Sequence, residues 1–117
     1  MGLSRVNRVT VTIANGATAS NVISSWNTYG GSAGIMIYSP ATLPETVKIE
    51  VSADTSSTPT NWQNLQDGAV LADLTVPAAN KAQYYERLVL ANHVRFVSTA
   101  AVGAERNFSI TFQAIYN

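Results

Sequence analysis

Apolar and polar residues alternate with a period of two through much of this chain, and turn residues interrupt the pattern every few positions. Val9, Val11 and Ile13 alternate with Arg8, Thr10 and Thr12; Val47, Ile49 and Val51 alternate with Lys48, Glu50 and Ser52. Val94, Phe96 and Ser98 alternate with Arg95, Val97 and Thr99, and Phe108, Ile110, Phe112, Ala114 and Tyr116 share one face of a last strand. A strand points successive side chains to opposite faces, so this pattern predicts half-buried antiparallel strands. Asn15–Gly16 and Asp67–Gly68 are tight-turn signals, because Gly, Asn and Asp tolerate positive φ.

Between these anchors the reading is coarser. Residues 17–24 can form a second strand around Val22 and Ile23, and residues 27–34, with Gly30 and Gly31, read as a flexible loop. The wholly apolar run Ile35-Met36-Ile37-Tyr38 reads as a strand buried on both faces. Pro40 and Pro44 mark a connection outside the hydrogen-bond ladder, since proline has no N–H to give. Residues 53–61 are a Ser/Thr/Pro loop, and residues 70–76 read as a strand closed by Pro77. Residues 78–90 fit either a short helix or an edge strand. Seven or eight short strands predict an all-β fold, an antiparallel β-sandwich, with a jelly roll as one form it can take. Residues 1–8 read as an N-terminal arm, and residues 9–117 as a single β-sandwich domain.

Composition narrows the function classes. A chain of 117 residues holds one core, and it has no cysteine, which excludes disulfides and thiol chemistry. Seven basic and seven acidic residues cancel, so no net field draws the chain to nucleic acid or anionic lipid. Charged residues make up 12% of the chain, about half of the usual share. Such a surface loses little hydration energy on contact and suits extensive protein binding. Residues 1–8 carry no apolar run, so no secretory leader is expected; Val6 stands where a myristoylation motif needs Ser or Thr; no stretch reaches the length of a membrane span.

Chemistry finds little support. The one histidine, His93, lies beside the strand at 94–99 with no serine elbow near it in sequence, and is expected to be structural or exposed. Asp54, Asp67 and Asp73 flank loops without the close spacing of a calcium loop. Gly30, Gly31 and Gly34 make no phosphate-binding motif, and the five arginines are dispersed. Asn107–Ser109 is a formal glycosylation sequon at the opening of a strand. No catalytic residue, metal or cofactor is expected. The aromatics Trp26, Tyr29, Trp62, Tyr84 and Tyr85 remain. Rings on loops can stack on sugars, so a carbohydrate-binding or adhesin module is the rival reading. Trp62 is instead expected to plug one end of the sandwich together with Leu65.

The middle of the chain carries a further pattern. Ile35-Met36-Ile37-Tyr38-Ser39-Pro40-Ala41-Thr42-Leu43 is followed by Val47-Lys48-Ile49-Glu50-Val51-Ser52-Ala53-Asp54, then Trp62-Gln63-Asn64-Leu65-Gln66-Asp67-Gly68 and Val94-Arg95-Phe96-Val97-Ser98. In this order they resemble a family of small tailed-phage virion structural proteins. The resemblance implies a non-enzymatic head decoration (cement) protein on the capsid surface, with a neck or tail accessory role as the variant within that class. It implies the major capsid protein or other virion proteins as partners, a homo-oligomer or many-copy lattice, and no nucleic acid or membrane. The residues expected to touch partners are Leu3, Arg5 and Val6 in the arm and the loop aromatics Trp26 and Tyr29.

Overall fold

The computed structural model describes residues 3–24, 35–85 and 91–116, with side chains described over 8–24, 35–85 and 91–112. It is a sandwich of two four-stranded antiparallel sheets and a small two-stranded ribbon, and no helix occurs among the described residues. The strands are β1 (Leu3–Ile13), β2 (Ile23–Ser24), β3 (Ile35–Tyr38), β4 (Val47–Ser52), β5 (Gln63–Asn64), β6 (Gln66–Asp67), β7 (Ala72–Asp73), β8 (Ala82–Tyr85), β9 (His93–Ser98) and β10 (Arg106–Tyr116). One sheet runs β1-β10-β3-β8, the other β2-β9-β4-β5, and β6 pairs with β7 as the ribbon. The chain therefore passes repeatedly from one sheet to the other, and its first and last long strands lie side by side.

The alternation seen in sequence becomes an inner and an outer face. Val11 and Ile13 of β1, Ile35 and Ile37 of β3, and Phe108, Ile110 and Phe112 of β10 point inward from one sheet. Val47 and Ile49 of β4 and Val94 and Phe96 of β9 meet them from the other. Phe96 and Phe108 join the layers edge to face, with ring centroids 5.2 Å apart and planes at 87°, the arrangement that aligns one ring's positive edge with the other's negative face. Tyr85 is buried at the core margin and its hydroxyl donates to the Thr75 carbonyl at 2.5 Å. Burial pushes this phenol up to about 12, so it stays a donor at any ordinary pH.

Several expectations are corrected. The residues taken for an arm, Leu3 to Arg8, are the first half of β1, and their backbone pairs with β10 from Leu3↔Tyr116 to Arg8↔Thr111. Strand β3 is buried on one face: Ile35 and Ile37 are covered, whereas Tyr38 is exposed. Residues 70–76 do not form one strand. Val70 and Leu71 belong to the turn between β6 and β7, Ala72–Asp73 pairs with β6, and Leu74–Val76 runs beside β4 through the Lys48↔Thr75 bridge and the backbone bonds of Leu74 with Ile49 and Val76 with Val47. The ambiguous stretch 78–90 contains strand β8 rather than a helix; its residues 86–90 lie outside the described part. The Asn15–Gly16 turn leads the chain across to the other sheet, where Ala19 bridges Val97.

Candidate contact surface

The outer face of the β2-β9-β4-β5 sheet is built from cross-strand pairs. Register places Ser52 opposite His93, Glu50 opposite Arg95 and Lys48 opposite Val97, and neighbours at such spacing meet side chain to side chain. Arg95 donates through Nε to Glu50 Oε1 at 2.7 Å. Its guanidinium also lies 4.2 Å from the centroid of the Trp62 ring. Trp62 is thus a half-buried lid on the outer face, and the expected end plug is Leu65, which packs against the core. Lys48 Nζ donates to Asp73 at 2.8 Å, and Asn64 and Gln66 donate to the same carboxylate at 3.1 and 3.0 Å. These donors, Lys48 foremost, hold Asp73 below its ordinary value.

His93 sits on this face yet is buried, with its ring held between the Ser24 hydroxyl and the Asp54 carbonyl. Its Nε2 lies 2.9 Å from the Asp54 carbonyl, which can only accept, so Nε2 carries the hydrogen. In the neutral ring Nδ1 then accepts from the Ser24 hydroxyl at 3.1 Å. Ser24, His93 and Asp54 come together at an open depression of about 370 Å³, but not as a Ser-His-Asp array. The Asp54 carboxylate faces the other way and accepts from the Thr60 and Asn61 backbone N–H groups at 2.9 and 3.0 Å. Those two bonds keep Asp54 ionised below its ordinary value and close the 54–61 loop. The group is a latch fastening that loop to β9.

The three loop acids do not gather. Asp54 closes one loop, Asp67 Oδ1 accepts from the Ala69 N–H at 2.9 Å, and Asp73 ties the ribbon to β4. Among the described residues no three His, Asp or Glu side chains are grouped as metal ligands. The third ion pair is Arg106 with Glu45, two parallel bonds of 3.1 Å each. Its first effect is to hold the Glu45 carboxyl below the usual range.

The apolar feature that sequence reasoning missed is the tip of the β6–β7 ribbon. Val70 and Leu71 are 68% and 75% exposed there. The Leu71 N–H donates to the Asp67 carbonyl at 2.7 Å, and Leu71 holds φ of 57°, a conformation unfavourable to a branched side chain. A hydropathy reading places such residues inside; only the Asp67–Gly68 turn signal next to them hints otherwise. Of the five partner-contact residues expected from sequence, Leu3, Arg5 and Val6 lie in β1. Trp26 and Tyr29 lie outside the described residues. No helix among the described residues is long and apolar enough to cross a membrane. Comparison with protein-family models, curated proteins and solved structures returned no match.

Proposed function

We propose that this chain is a non-enzymatic structural protein of a tailed-phage virion, a decoration protein that bridges major capsid subunits on the head surface. The observation that carries the protein-contact part of this reading is the Val70–Leu71 pair, held out on a hydrogen-bonded turn. Two large apolar side chains at a prearranged tip leave water on docking and lose little conformational freedom there, which is how a small contact gains affinity. The rest of the surface agrees with it. Lys48, Arg95 and Arg106 are paired within the fold, so fewer bare charges need to be stripped of water at an interface.

The virion part of the reading rests on the resemblance of the β3, β4, Trp62–Gly68 and β9 segments. The strand order β1-β10-β3-β8 over β2-β9-β4-β5 supports taking the sandwich further, as a jelly roll, an architecture common in viral capsids. The carbohydrate reading gains nothing from Trp62, because Arg95 covers one face of its ring.

The test is binding to purified capsids lacking this protein, comparing the intact chain with the double variant Val70→Ser, Leu71→Asn. Asn accepts positive φ better than Leu, so the turn is preserved. Expected is a loss of affinity of about tenfold or more with an unchanged melting temperature. Normal occupancy by the variant would remove the ribbon tip from the contact. Failure of the intact chain to bind any virion part would overturn the wider reading. Deleting residues 1–7 is a poorer test, since it strips the backbone of Leu3–Asn7 from β10 and disturbs the fold itself.

A further inference from the structure

Each sheet of a sandwich ends in two edge strands whose outward N–H and C=O groups can pair with another chain. Among the described residues β2 and β5 span two residues and β8 four, whereas β1 spans eleven. Short edges are one way that folds avoid pairing with other chains. By that measure β1 is the longest edge among the described residues.

The sequence of β1, LSRVNRVTVTI, contains no proline and no lysine, and its charged residues are two arginines, Arg5 and Arg8. Its register with β10 runs without a bulge from Leu3↔Tyr116 to Ile13↔Arg106. Which residues look outward follows from one contact. Thr12 N–H donates to Asn21 Oδ1 at 2.8 Å, and its carbonyl accepts from the Asn21 N–H at 3.3 Å. Asn21 lies off the free side of β1, so the backbone groups of Thr12 point away from β10. In an antiparallel ladder these directions alternate. Ser4, Val6, Arg8 and Thr10 therefore also present N–H and C=O to the free edge, where no described residue bonds to them. Asn21 blocks the edge at Thr12, and β1 begins at Leu3.

We propose that a second copy of this chain occupies that edge, β1 against β1 in antiparallel register about a two-fold axis at Asn7. The register is the one that uses the whole available edge. It sets Ser4 opposite Thr10 and Val6 opposite Arg8, each pair twice, for about eight backbone hydrogen bonds. It also sets Asn7 opposite Asn7 and Arg5 opposite Val9. Shifting the axis to Arg8 would place Arg8 directly against itself, a destabilising like-charge pair. The chain has no net charge, so two copies approach without long-range repulsion. Strand pairing alone buries less than the ~800 Å² per partner typical of stable complexes, so the dimer depends on concentration. The inference does not rest on the virion reading: a monomeric chain that still occupied capsids would overturn this proposal alone.

The experiment is sedimentation of the intact chain from about 1 to 300 µM, a span that brackets weak association, with three variants. Val6→Pro removes an N–H that faces the free edge and leaves the β1–β10 ladder its bonds. It is expected to weaken dimerisation about tenfold or more at nearly constant melting temperature. Because the chain has no cysteine, Asn7→Cys and Arg5→Cys report register by disulfide formation. Paired Asn7 positions fall within the ~4.4–6.8 Å Cα range that a disulfide spans, and paired Arg5 positions do not. Asn7→Cys should cross-link under mild oxidation and Arg5→Cys should not. A strict monomer across that range, a Val6→Pro chain that dimerises as before, or equal cross-linking at both positions would each overturn the proposal.

Discussion

Phe96 and Trp62 show how differently two aromatic side chains act when both are tied to β9. Phe96 is fully buried between the sheets against Phe108. Trp62 lies outside, half exposed, with the Arg95 guanidinium over its ring. Removing a buried phenyl group leaves a cavity in close-packed surroundings, so Phe96→Ala should cost about 3–5 kcal/mol. That is a large part of the roughly 5–15 kcal/mol that holds a domain folded. A cation–π contact near solvent contributes about 0.5–1 kcal/mol, so Trp62→Ala should cost about 1 kcal/mol. Urea unfolding of the two variants checks this; a Trp62→Ala loss as large as that of Phe96→Ala would show that the ring acts as core.

At the scale of elements, the Asn15–Gly16 turn carries β1 across to the opposite sheet. Gly16 holds φ of +82° and its N–H donates to the Val102 carbonyl at 2.8 Å. A Cβ there would meet no atom within 4 Å, so the whole effect of Gly16→Ala is backbone strain. A loss of about 1–2 kcal/mol is expected, measured by denaturant midpoint at unchanged slope. Asn15–Gly16 and Asp67–Gly68 were legible because turn chemistry is local. So were the second half of β1 and strands β4, β9 and β10, where one face is buried and the period shows it. Two things were not legible. The β1–β10 pairing joins the ends of the chain, and no local pattern encodes a partner so far away. The Val70–Leu71 tip breaks the hydropathy rule outright, since exposure of large apolar residues is set by the ribbon's geometry. Of the expected contact residues, Leu3, Arg5 and Val6 were singled out for lying ahead of the core pattern; the structure places their backbone in β1, a strand that alternation alone reaches only from Val9.

For the whole molecule, three carboxylates tie separate segments together: Glu45 to Arg106, Asp54 to the 60–61 backbone and Asp73 to Lys48. Each is held below its ordinary value, 4.5 for Glu45 and 3.8 for the two aspartates. A depressed carboxyl binds its proton less readily folded than unfolded. Its stabilisation is complete above the unfolded pKa and disappears as pH falls through the folded one. The melting temperature should stay level down to about pH 5 and decline steadily below it, and Glu45→Gln should make that acid decline shallower. A decline equally steep in the variant would remove the Glu45–Arg106 pair as a contributor. The proposed virion role is most directly tested at this scale by a cryo-EM map of the phage particle proposed to carry the chain. Expected is density for the sandwich over junctions between capsid subunits, in many copies, with the Val70–Leu71 tip seated against a subunit. Fully formed heads, necks and tails with no density for the chain would contradict it.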